Sequence, residues 1–202
     1  MWGAVDYRRL ISYNTQMPSI ELSHFFREGP RKEIKIANAA KILNNQEVMR
    51  FAKNPSWGEK TIEVTGLTVD NENIKSNIIF NLAENAGTIN LVNLDRDDFC
   101  VYFSYTAHSL NGNYIIKRET TVNRYRPYQG QGLGYSLALL GDYTLQGIAR
   151  LYPGNDEIYA TSKDTSKGGW TTSLLEKIGY KNNDEQNRGL YLPKGTLVKK
   201  LR

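Results

Sequence analysis

Cysteine is almost missing from this chain: Cys100 is the only one among 202 residues. No disulfide can form within the chain, and a reducing compartment, the cytoplasm, is the expectation, with export not excluded. Histidine is scarce too. His24 and His108 stand alone and far apart, without cysteines or acidic residues at ligand spacing, so no metal site is expected. No stretch approaches the roughly 20 apolar residues that cross a bilayer, and "MWGAVDYRRLISYNTQ" lacks the apolar core of a secretory signal. No membrane partner is therefore expected. Charge of one sign is also lacking: 26 Lys and Arg against 21 Asp and Glu leave +5, well short of a nucleic-acid-binding arm. Internal repeats, low-complexity tracts and long linkers are absent.

What remains is ample for a core. Hydrophobic residues make up 40% and aromatics 11%, with 13 tyrosines, as in one compact globular unit rather than a disordered chain. Its expected division is an N-terminal extension with a first helix over 1–60, then the main domain over 61–202.

Residues 1–30 read as irregular, with Pro18 and Gly29-Pro30 as breakers. "KEIKIANAAKILNNQEVMRFAKN" reads as a short strand or helix start and then an amphipathic helix using Ile42, Val48 and Phe51. "TIEVTGLTV" is a strand candidate. "NENIKSNIIFNLAENAG" reads as a helix, with Ile74, Ile78 and Leu82 at four-residue steps and Gly87 as its C-cap. "TINLVNL", "FCVYFSYTA" and "NYIIKRETTV" then suggest an antiparallel meander. Beyond a glycine-rich stretch come a helix burying Leu137, Leu140 and Ile148, the strand "DEIYAT" and the helix "GGWTTSLLEKIGY". "RGLYLP" and "GTLVKKL" read as a closing strand pair. The class is mixed α/β.

The glycine stretch "YRPYQGQGLGYSLALLGDY" carries the chemistry. The first N–H groups of a helix have no intrahelical partners, and the helix dipole adds positive charge there. A small, open backbone at Gln129, Gly130, Gln131, Gly132, Leu133 and Gly134 suits an anion held on those donors. Arg124 and Arg126 lead straight into it, as a phosphate-bearing ligand would favour. No Lys-Ser/Thr follows the glycines, so a nucleoside-triphosphate loop is excluded. Antiparallel strands before the loop argue against a dinucleotide fold.

"QGQGLG" before an apolar helix resembles the acetyl-CoA loop of the GNAT N-acetyltransferase superfamily, usually Gln/Arg-x-x-Gly-x-Gly/Ala, with Gln129, Gly132 and Gly134 in the fixed places. "LLEKIGYK", Leu174 to Lys181, is similar to that family's closing helix, commonly "LYEKLGFK". The resemblance covers roughly residues 88–200 and implies a GNAT-like fold: a mostly antiparallel central sheet, a strand–loop–helix acetyl-CoA site and flanking helices. It implies acetyl-CoA as co-substrate, its pyrophosphate on the N–H groups of Gln129 to Gly134, with Tyr135 adjoining. The pantetheine arm would pair with the preceding strand near Val122, Arg124 and Tyr125.

The activity so implied is direct transfer of an acetyl group to an amine, with a strand N–H stabilising the oxyanion. The acceptor would be a protein amine, an RNA-linked amino acid or a small molecule. Glu119, about ten residues ahead of Gln129, is the candidate base; the alternative is a strand carboxylate paired with Arg118 or Lys117. Where the family commonly has a tyrosine acid this chain has Leu175, and its frequent asparagine falls on Gly168. Ser173 and Tyr191 are the nearby donors left. Cys100, among apolar neighbours, reads as a buried thiol, and Trp170 as either a pocket wall or packing. The competing reading is a non-catalytic module that binds CoA or a partner on the same scaffold.

Overall fold

The computed structural model describes residues 26, 29, 31–110, 113–123, 125–154, 157–163, 170–183, 192–193 and 195–202. The expectations placed on residues 1–25, Arg124, Gly168, Tyr191 and most of "RGLYLP" lie outside them.

Among the described residues two helices come first, α1 over Lys32–Leu43 and α2 over Gln46–Lys53. Asn45 separates them: its Oδ1 accepts from the backbone N–H of Glu47 and of Val48, each at 3.1 Å, which starts α2 by satisfying two orphan donors. Ile42 and Val48 are fully buried as expected, and the Phe51 ring lies 4.8 Å from that of Phe80.

Five strands follow in a meander, each antiparallel to the next: β1 Gly58–Val69, β2 Glu72–Leu82, β3 Ala86–Asn93, β4 Asp98–Leu110 and β5 Asn113–Val122. The helix expected over "NENIKSNIIFNLAENAG" is not found; the segment is β2 and the start of β3. A four-residue step is twice the strand period, so Ile74, Ile78 and Leu82 share a strand face as readily as a helix face. Ser76 and Phe80, at the intervening alternate positions, are buried with them. Gly87 is therefore no helix cap. It lies in β3, where an added Cβ would come within 2.5 Å of the Tyr105 ring.

The chain then forms α3 over Leu133–Ile148, β6 over Ile158–Lys163, α4 over Trp170–Lys177, β7 over Lys181–Asn182 and β8 over Thr196–Lys200. The sheet order is β1-β2-β3-β4-β5-β6-β8-β7, and β5/β6 is its parallel pair. This is the expected mixed α/β architecture, a mostly antiparallel sheet with a strand–loop–helix unit. "GTLVKKL" supplies β8, which pairs with β6 on one side and β7 on the other.

Helix α3 is the centre of the core. Leu133, Leu137, Leu140, Leu145 and Ile148 are fully buried, each worth about 1.5–3 kcal/mol of removal from water. It packs on β4 and β5 with one side and on α1 and α2 with the other, so apolar residues surround it. Strand alternation makes β5 two-faced: Ile116 belongs to this core, while Ile115 joins Tyr159 and Val198 in a small second cluster.

Candidate active site

Strand β5 pairs with β6 only from Tyr114 to Lys117, against Ile158 to Thr161. On its other edge β6 pairs with β8 from Tyr159 to Lys163, while β5 runs on past Lys117 to Val122 against β4 alone. The edge of β5 from Arg118 to Val122 thus has no strand on its β6 side among the described residues. An unpaired strand edge is a template for another extended amide-bearing chain.

Arg118 fills the floor of that opening. Its Nη2 donates to the Ala138 carbonyl at 2.8 Å and its Nη1 to the Tyr180 hydroxyl at 3.2 Å. Nη1 also lies 3.5 Å from Asp142 Oδ1, and Lys199 Nζ reaches Asp142 Oδ2 at 2.7 Å. One arginine therefore ties β5 to α3 and to the chain just after α4. Burial pushes the Tyr180 hydroxyl pKa up, against the neighbouring Arg118 charge, so the phenol stays neutral.

The chain leaves β5 through Asn123. Its Nδ2 donates to the Phe99 carbonyl at 2.7 Å, and its Oδ1 accepts from the Tyr125 N–H at 3.0 Å. A 3-10 turn over Arg126–Tyr128 follows. Tyr128 plugs it into the core: its hydroxyl accepts from Asn93 Nδ2 at 3.0 Å and donates to Asp98 Oδ1. Tyr125 is exposed and held by Arg96, whose Nη1 donates to its hydroxyl at 2.7 Å. Val122, the last residue of β5, is half-buried opposite Val101.

In the glycine loop, Gln129 and Gly130 are exposed. Gly130 has φ +70° and nothing within 4 Å of where a Cβ would stand. Gly132 is different. At φ +80°, its Cβ would lie 2.8 Å from both Cα and the carbonyl oxygen of Lys35 in α1. Its glycine is thus required by packing as well as by conformation. Gln131, Leu133 and Gly134 are buried, and Tyr135 is half-buried with its ring 5.2 Å from Phe26. Gly132 is the N-cap of α3 and offers no side-chain cap, and the first turn carries no acidic residue. The positive end of a sixteen-residue helix is accordingly left without a neutralising carboxylate of its own. These features fit a pyrophosphate.

Glu119 is exposed on β5, opposite Ser104, and lies on the face turned away from α3. Arg118, its neighbour, points to the other face and is engaged there. An Arg118–Glu119 pair is thereby ruled out. Leu175 is buried in the main core, with Leu174 beside it, and Ser173 is half-buried. Cys100 is fully buried; burial first, then the Asp98 charge, push its thiol to about 12, which agrees with an inert thiol. Among the described residues no three His, Cys, Asp or Glu side chains gather to hold a metal ion, and no helix is long and apolar enough to cross a membrane.

Sequence reasoning missed Arg118, Asn123, Tyr128 and, in α1, Asn38, whose Nδ2 donates to the Gln131 carbonyl at 3.0 Å. Asn38 left one signal: a polar residue four places before Ile42, on the same stripe of an amphipathic helix.

No protein-family model matches the chain, and no curated protein matches it. Solved structures similar to it include a GNAT-family acetyltransferase from Streptococcus pneumoniae, at 17% identity and TM-score 0.39 over 58% of this chain and 68% of that one. A cAMP-binding acyltransferase from Mycobacterium smegmatis is similar at 7% identity and TM-score 0.44, over 80% of this chain and 51% of that one. A GCN5-related N-acetyltransferase from Sphaerobacter thermophilus is similar at 18% identity and TM-score 0.34, over 50% of this chain and 30% of that one. The chain thus spans about half of the Mycobacterium protein. At such identities no residue roles carry across.

Proposed function

We propose that this chain is an acetyl-CoA-dependent N-acetyltransferase. The observation that carries the reading is the parting of β5 from β6 after Lys117, on the strand that leads to a glycine loop opening a helix without a side-chain cap. When bound, acetyl-CoA supplies an activated acetyl group. The N–H groups from Gln129 to Gly134 would hold its pyrophosphate, and the free edge of β5 up to Val122 would receive its amide-bearing arm. An acceptor amine would add to the thioester carbonyl, forming the C–N bond, and the C–S bond would then break with the sulfur leaving as a thiolate. Glu119 takes the proton released by the amine. A thiolate of ordinary pKa near 8.5 is a fair leaving group, so water suffices to protonate it, consistent with a leucine at position 175.

The acceptor is an amine on a protein, on an RNA-linked amino acid or on a small molecule. Salt separates these: an RNA acceptor loses activity steeply as salt rises, because phosphate contacts release counterions. Mass spectrometry of candidate acceptors after incubation with labelled acetyl-CoA identifies the class.

Gly130→Glu tests the reading. Its Cβ has nothing within 4 Å, and Gly130→Ala, which carries the same left-handed strain at φ +70° without the charge, is the control. Acetyl-CoA affinity by calorimetry falls about tenfold or more. Unchanged affinity in the folded variant would overturn the assignment. The burial of Leu175 favours one second reading, a module that binds CoA without transferring its acetyl group. Tight binding with no acetylated product from any acceptor class decides for it.

A further inference from the structure

The carboxamide of Asn38 makes three hydrogen bonds. Its Nδ2 donates to the Thr68 carbonyl at 2.8 Å and to the Gln131 carbonyl at 3.0 Å, and its Oδ1 accepts from the Thr68 N–H at 2.8 Å. The residue is 1% exposed. Thr68 belongs to β1, at the edge of the sheet among the described residues, so the side chain of Asn38 completes a backbone pairing that no described strand provides. Its third bond reaches across from α1 to the loop that opens α3.

A trans peptide points its C=O and N–H in opposite directions. Drawing the Gln131 carbonyl inward onto Asn38 therefore turns the N–H of Gly132 away from α1. The next constraint acts on the same peptide: the Lys35 backbone lies against Gly132 Cα so closely that a Cβ would have 2.8 Å. Two residues of α1, one turn apart, thus fix one peptide plane of the loop. The Gln131 side-chain oxygen adds no hydrogen bond to that hold; Oε1 is buried without a partner.

We infer that Asn38 is a positioning residue for the anion cradle: it aims the Gly132 amide at the bound pyrophosphate without touching it. The inference rests on the acetyl-CoA reading. It also gives the first helix a part in the site, where loop sequence alone would place none.

Asn38→Leu removes the three hydrogen bonds at similar size, with Asn38→Ala as the second variant should leucine crowd the site. Thr144→Val, which deletes a buried hydroxyl bonded to the Leu140 carbonyl in α3, serves as a control for lost stability away from the loop. Two ligands are compared by titration: acetyl-CoA, and acetyl-pantetheine, which has the thioester arm but no pyrophosphate. For a positioning role, Asn38→Leu weakens acetyl-CoA by about tenfold or more and acetyl-pantetheine by less than about twofold, while Thr144→Val changes neither. Equal weakening of both ligands by the Asn38 variants, or no weakening, overturns the inference. Wild-type protein that binds no acetyl-CoA would sink the functional reading instead. In that event the amide shifts of Gln131 to Gly134 in the ligand-free protein still decide on Asn38: they move in its variants and not in Thr144→Val, and unmoved shifts refute the hold.

Discussion

Arg118 and Asp142 meet at 3.5 Å, Nη1 to Oδ1, with their side chains 2% and 6% exposed. Lys199 completes the cluster on the other carboxylate oxygen, so one anion serves two cations. Removing the anion leaves the buried Arg118 charge without its counter-ion and beside Lys199; removing Lys199, which is 19% exposed, leaves a matched pair. Asp142→Asn should therefore destabilise the fold by about 3–5 kcal/mol and Lys199→Met by clearly less. Urea unfolding of the two variants gives the order. Equal losses would mean that the three charges do not act as one unit.

The two positive-φ glycines of the loop predict different costs. Gly130→Ala adds a methyl group in open space and should cost about 1–2 kcal/mol of left-handed strain. Gly132→Ala carries the same strain and meets the Lys35 backbone, adding about 1–3 kcal/mol of overpacking. Thermal and urea unfolding should rank them in that order, and the reverse order would remove α1 from its place over the loop.

Glu119→Gln keeps the shape of the side chain and removes its basicity. If Glu119 takes the amine proton, the maximal rate should fall about 10²-fold with acetyl-CoA affinity unchanged, and the acidic limb of the pH–rate profile should vanish. A fall of only a few-fold would assign deprotonation to solvent.

Alkaline pH should unfold the protein before its buried tyrosines ionise. Burial raises the hydroxyl pKa of Tyr105, Tyr128 and Tyr180 above 10.0, that of Tyr152 to about 12, and the Cys100 thiol from 9.0 to about 12. With folded values above unfolded ones, the native state keeps protons that the unfolded chain releases, so stability is whole below about pH 9 and declines toward about pH 12. Urea midpoints measured across that window, with tyrosinate absorbance as the second probe, check the sign. A midpoint that rises with pH would contradict it.

The meander, the central helix and the glycine loop were legible because each rests on local pattern: β-branched alternation, turn residues, an apolar run behind glycines. Residues 72–82 misled because spacing by fours satisfies both periods, and only the buried Ser76 and Phe80 separate them. Ser76 looks polar in sequence, yet its hydroxyl is consumed by the Val64 carbonyl at 2.7 Å. Gly132 was read as making room for an anion, and part of its reason is a helix backbone nearly a hundred residues earlier in the chain. Asn38, Arg118 and Tyr128 stayed unread for the same cause: their meaning lies in partners distant in sequence.

The parallel seam between β5 and β6 has a consequence in time. Strands β1 to β5 are joined by short turns, so their pairings close small loops and form early. Joining Tyr114–Lys117 to Ile158–Thr161 must enclose the glycine loop and all of α3, and it gains only four residue pairs in return. The seam should therefore form after the hairpins of the meander. Its mouth lies beside the β5 edge proposed to receive the amide arm, so a ligand seated there would brace a joint held by few backbone pairs.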